Sequence, residues 1–151
     1  MYKMIKSIYE KEGTAHSMRL QKLSVKDYQK AKKSPELEGK AAHIRGFCPY
    51  LHELANSLLP AEGTAHDRAV AKLAKFCSNM YRSLEKADLP RLERYGRLLK
   101  EQWMSLEKAA VSKDEHLHYH SRPKWHLFDH ILDDIKFTSM NPKDTWCYKN
   151  W

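Results

Sequence analysis

β-Branched side chains are scarce in this chain. Valine, isoleucine and threonine supply only 12 of its 151 residues, too few for a sheet-based core, which draws heavily on them. Glycine (5) and proline (6) are also few, which excludes collagen-like and Pro/Gly-rich disordered classes. No apolar run approaches the roughly 20 residues that a membrane-spanning helix needs, so no membrane association is expected. The segment Met1-Tyr2-Lys3-Met4-Ile5-Lys6 has no signal-peptide h-region. The three cysteines, Cys48, Cys77 and Cys147, are odd in number and include no CxxC pair. They point to reduced thiols in an intracellular protein, with Cys48 and Cys77 filling apolar helical stripes.

What the chain does hold is an excess of positive charge. Lysine and arginine number 27 against 19 acids, a formal net charge of +8. At 42% hydrophobic residues, a chain of this length can bury one core, so residues 1–151 are expected to form a single helical domain. The excess lies on the first two-thirds, with clusters at Lys30, Lys32 and Lys33 and at Arg91, Arg94, Arg97 and Lys100. A basic surface attracts polyanions such as nucleic acid or anionic lipid. Because Glu93, Glu101 and Glu107 interleave with the second cluster, a solvated surface of mixed sign is the competing reading.

Apolar residues follow helical spacing almost throughout. Met1, Met4, Ile5 and Ile8 predict a first helix stopping near Gly13, and Ala15, Met18 and Leu23 a second. Ser24-Val25-Lys26-Asp27 and Ser34-Pro35 carry helix-start chemistry. The next stripe, Leu37, Ala41, Ile44, Cys48, Leu51, Ala55 and Leu58, is interrupted by Gly46 and Pro49. A kink, or two helices meeting, is expected near Pro49, because proline removes a backbone donor. Thr64 to Asp67 reads as a capping box opening a helix with Ala69, Leu73, Phe76, Met80 and Leu84 inward. Asp88-Leu89-Pro90 starts the longest helix, with stripe Leu92, Tyr95, Leu99, Trp103, Leu106 and Ala110. Residues 113–122 read as a histidine-rich loop. Pro123 opens a last helix facing inward with Phe128, Ile131, Leu132 and Ile135, and residues 138–151 form an aromatic tail. Amphipathic helices on short connections imply an all-α multi-helix bundle.

Glu12-Gly13-Thr14-Ala15-His16 recurs as Glu62-Gly63-Thr64-Ala65-His66. Duplication of a helical hairpin and convergence on one stop-and-cap signal both account for it, since glycine ends helices and threonine begins them.

The densest chemistry is His116, His118 and His120, followed by His126 and His130. Histidines at i and i+4 on a helix point the same way, and Asp134 continues that row, a ligand pattern that suits zinc. The residue after His126 is leucine, so the general base of the H-E-x-x-H motif is absent. Surface histidines without metal are the plainer reading. No G-x-S-x-G, P-loop or G-x-G-x-x-G occurs, and no catalytic activity is expected. Trp125, Trp146, Tyr148 and Trp151 either stack on bases or pack onto the bundle.

Pro123-Lys124-Trp125-His126-Leu127-Phe128-Asp129-His130 has the form P-K-x-H-x-x-x-H, followed by Asn141-Pro142 and Trp146-Cys147-Tyr148. This pattern resembles a helical segment of KDZ- and Plavaka-type transposases, which are RNase H-like DDE enzymes. The resemblance covers about thirty residues. It implies a helical region near a last catalytic acid, but the position where that acid would stand reads Lys149-Asn150-Trp151. The chain then corresponds to a fragment or derived helical module without strand-transfer chemistry, and no catalytic residue carries over. The expectations are therefore a non-catalytic helical module that binds nucleic acid, a helical protein-interaction module, or a metal-binding protein built on the histidines.

Overall fold

The computed structural model describes residues 2–20, 41–60, 62–111 and 124–138, and helix is the only regular secondary structure among them. The chain forms α1 (Tyr2–Lys11), a 3-10 turn (His16–Met18), α2 (Ala41–Phe47), a second 3-10 turn (Cys48–Tyr50) and α3 (Leu51–Leu58). There follow α4 (Ala65–Glu85), α5 (Leu89–Val111) and α6 (Lys124–Thr138). This is an all-α, multi-helix fold. No described helix is long and apolar enough to cross a membrane. The start signals at Ser24 and Ser34, the basic cluster at Lys30, Lys32 and Lys33, and Cys147 lie outside the described residues. So do residues 113–122, with His116, His118 and His120, and the tail beyond Thr138.

Local chemistry sets the helix ends. α1 stops before Gly13, whose φ is +62°. Thr64 caps α4 through a complete capping box: its hydroxyl accepts from the Asp67 backbone N–H at 3.2 Å, and the Asp67 carboxylate accepts from the Thr64 backbone N–H at 2.8 Å. α5 begins at Leu89, with the Asp88 carboxylate accepting from the Arg91 N–H. Between α4 and α5 the chain reverses through Lys86, Ala87 and Asp88, closed by Asp88 N–H donating to Ser83 O at 2.9 Å.

Two apolar clusters hold the helices. Ile5, Ile8 and Tyr9 of α1 pack with Leu20, Phe47 and Leu54, while Leu92 of α5 packs with Leu132 and Ile135 of α6. Met80, Leu84, Phe128 and Ile131 line the second cluster.

The break at Pro49 is two helices meeting across the Cys48–Tyr50 turn. This turn changes which residues point inward. A 3-10 segment advances about 120° per residue against about 100° for an α-helix, so three residues rotate the following face by about 60°. Leu54 accordingly takes the buried position at 4% exposure, and Leu58, on the expected stripe, is 45% exposed. The second helix expected around Met18 is, in its described part, the short 3-10 turn, packed so closely on α2 that a Cβ on Gly46 would lie 2.2 Å from the Met18 carbonyl oxygen. On α4 the deepest side chains are Ser78 and Ser83, with Leu73, Phe76, Met80 and Leu84 half-buried. Small residues win there because Ser78 sits against the turn itself: its hydroxyl donates to Cys48 O at 3.0 Å and accepts from His52 N–H at 2.9 Å.

Candidate nucleic-acid interface and histidine pair

Four of the basic residues singled out in the sequence lie on α5, and the structure divides them. Arg91 (71% exposed) stands 3.5 Å from Asp88, and Arg94 is exposed. Arg97 and Lys100 instead turn toward α6. The Arg97 guanidinium reaches Glu93 Oε1 and Asp133 Oδ1, each at 3.0 Å, and those partners hold it still more firmly protonated than usual. Lys100 Nζ donates to both Asp129 oxygens, at 2.7 and 2.5 Å. These two cations are engaged in positioning α6, and only Arg91 and Arg94 of the cluster point outward.

A second basic feature, outside the clusters of the sequence analysis, lies on α4. On α4, Arg68, Lys72, Lys75, Asn79, Arg82 and the C-cap Lys86 succeed one another at spacings of 4, 3, 4, 3 and 4. This is the repeat that keeps residues on one helical face. All five cations are exposed. At about 1.5 Å per residue the row extends for about 27 Å. The acids of α4 are occupied elsewhere: Asp67 in the capping box, and Glu85 in a bidentate pair with Arg45 at 2.6 and 3.0 Å. Arg68 donates to the Gly63 carbonyl at 2.6 Å. Among the described residues none of the five forms an ion pair with a carboxylate.

His52 of α3 registers this row. Its imidazole titrates below the ordinary histidine range, first because partial burial disfavours the charged form, then because of the charges of Lys75 and Arg82. Asn56 Nδ2 lies 3.4 Å from its Nε2. The edge of α3 beside α4 is thus polar and already positive without His52 being protonated.

On α6, His126 and His130 are exposed and stand together. Their Nε2 atoms are 3.2 Å apart, with the rings edge-to-face at a centroid separation of 4.7 Å. Asp134, one further turn along, does not complete a ligand set: among the described residues no three His, Cys, Asp or Glu side chains converge where a metal ion could sit. Cys48 and Cys77 meet inside the fold as reduced thiols. The Cys77 thiol is raised well above its usual range, and the Cys48 thiol is lowered chiefly by the hydrogen bond from Cys77.

No family model, curated protein or solved structure matches the chain.

Proposed function

We propose that this chain is a non-catalytic helical module that binds nucleic acid, and that the exposed row on α4 is the surface it uses. The observation that supports this most is the row itself: five cations along one face with no carboxylate partner among the described residues. Steps of four, three, seven and four residues, the long one spanning Asn79, place a cation on average about every 7 Å, roughly one per two phosphates of a strand. That density suits a backbone carrying one phosphate per roughly 3.4 Å of strand. The lowered His52 ionisation, due first to partial burial, also carries contributions from the charges of Lys75 and Arg82, which supports a positive local field. Contacts of this kind read phosphate, so binding would be largely independent of base sequence.

The resemblance of the Pro123–His130 segment to KDZ- and Plavaka-type transposases fits a module derived from a DNA-processing protein. The exposed large apolar side chains among the described residues are Leu58, Met104 and Leu127, on α3, α5 and α6.

Affinity for a short duplex measured across salt tests the proposal. Five phosphate contacts give a log–log slope of about −4.5. A flat response, or no binding at low salt, overturns it.

A further inference from the structure

Independently of the α4 row, we propose that His126 and His130 form a two-imidazole chelate for a divalent transition-metal ion of the zinc or copper class. The argument is one of bite. Metal–imidazole bonds run about 2.0–2.1 Å, so two nitrogens on a tetrahedral ion stand about 3.3–3.4 Å apart. At adjacent corners of a square, as copper(II) prefers, the separation is about 2.9 Å. The observed Nε2–Nε2 distance of 3.2 Å lies between these values.

The backbone of α6 already holds the two nitrogens at that separation. His126 and His130 are one helical turn apart on α6, so their side chains leave the same face. The helix is held on its apolar side by Leu132 and Ile135, buried against Leu92, and along its flank by the Lys100–Asp129 and Arg97–Asp133 ion pairs. Those contacts keep both imidazoles outward, where an ion has access and water can complete its shell. They also use the nearby carboxylates Asp129 and Asp133, and among the described residues no third ligand converges on the pair, so its donors are two neutral nitrogens. Such a donor set selects zinc or copper over calcium or magnesium, which take oxygen ligands.

In the absence of metal, one imidazole N–H can donate to the other ring's nitrogen across the same 3.2 Å. Metal binding replaces that contact by two bonds from unprotonated Nε2 atoms. Holding two donors on one rigid turn raises the local concentration of the second ligand, which is the source of the chelate's advantage.

The test is zinc titration of the full, untagged chain, followed by the imidazole carbon-bound proton resonances in NMR spectra. His126 and His130 should shift together and saturate at one equivalent, a readout that needs no variant. His126→Ala and His130→Ala should each weaken zinc binding on the order of 100-fold, whereas His66→Ala, an exposed histidine on α4, should leave it unchanged. Copper(II) should show two nitrogen ligands by electron paramagnetic resonance in the parent, and one in each α6 variant. Equal affinity in the parent and both α6 variants overturns the proposal. So do His126 and His130 resonances that ignore zinc, which would leave a hydrogen-bonded imidazole pair and no more.

Discussion

Arg97 Nη2 stands 3.0 Å from Asp133 Oδ1, joining α5 to α6 across 36 residues of sequence. Lys100 and Asp129 repeat the link one turn along. Together they commit two cations of the α5 cluster to carboxylate partners and tie α6 to α5. With side chains 41% and 49% exposed, the Arg97–Asp133 pair stabilises folding only modestly, by about 0.2–1 kcal/mol. Its larger consequence is geometric: Asp129 and Asp133 are engaged by α5, and His126 and His130 are left exposed.

Ser78 is the hinge pin between α4 and the Cys48–Tyr50 turn. Its fully buried hydroxyl serves one acceptor and one donor of the backbone at once. Ser78→Ala leaves both without that partner and should cost about 1–3 kcal/mol. Urea denaturation should show a lower midpoint at unchanged slope.

Ala87 adopts a φ of +54°, the left-handed region, in the α4–α5 turn. A Cβ there costs on the order of 1 kcal/mol relative to glycine. Ala87→Gly should therefore stabilise the protein by about that amount, visible as a raised Tm.

The α4 cap ties stability to acid. The Asp67 carboxyl is held below the ordinary carboxylate range because the Thr64 hydroxyl and backbone N–H both donate to it. A carboxyl depressed in the folded state stabilises above its unfolded value, about pH 4, and that contribution is lost as pH falls through the folded value. Thr64→Ala should lower stability by about 1 kcal/mol at neutral pH. The gap between variant and parent in denaturant midpoint should narrow toward pH 3.

His52 serves as an internal probe of the row. Because its folded value lies below about 6.5, the stability linked to its neutral form is complete above that pH and declines as pH falls. Removing charge from its neighbours acts in the opposite direction on its titration. In NMR titrations the His52 midpoint should rise in Lys75→Gln and in Arg82→Gln. It should rise again in the parent when an oligonucleotide binds, since phosphate offsets the same charges.

Much of the helical framework is legible in the sequence because its signals are local. Thr64 with Asp67, Asp88-Leu89-Pro90 and Gly13 each mark a helix end by chemistry within a few residues. The exchange of Leu58 for Leu54 in the interior is not legible, because the rotation arises in the turn at Cys48–Tyr50. The recurring Glu-Gly-Thr-Ala-His sequence likewise takes two conformations. Thr64 has Asp67 three residues on and caps a 21-residue helix, whereas Thr14 has Ser17 there, and its hydroxyl lies 3.0 Å from Tyr50 Oη.

The candidate surface was legible only in part. Nothing local pairs Arg97 with Asp133 or Lys100 with Asp129; tertiary packing does. The α4 row was present as a spacing of four and three. It escapes a search for contiguous basic runs because its cations are dispersed and Asn79 interrupts them. His126 and His130 were legible as a pair from their separation alone, and Asp134 did not join them.

The most direct test of the central claim compares two charge reversals in the same salt titration. The triple variant Lys72→Glu, Lys75→Glu, Arg82→Glu should lose most nucleic-acid affinity and shed about 2.7 from the log–log slope, roughly 0.9 per lost contact. Arg97→Glu should leave both affinity and slope near the parent's once folding is verified by circular dichroism. The reverse pattern, with the α4 variant binding as the parent does and the α5 variant failing, would contradict the account.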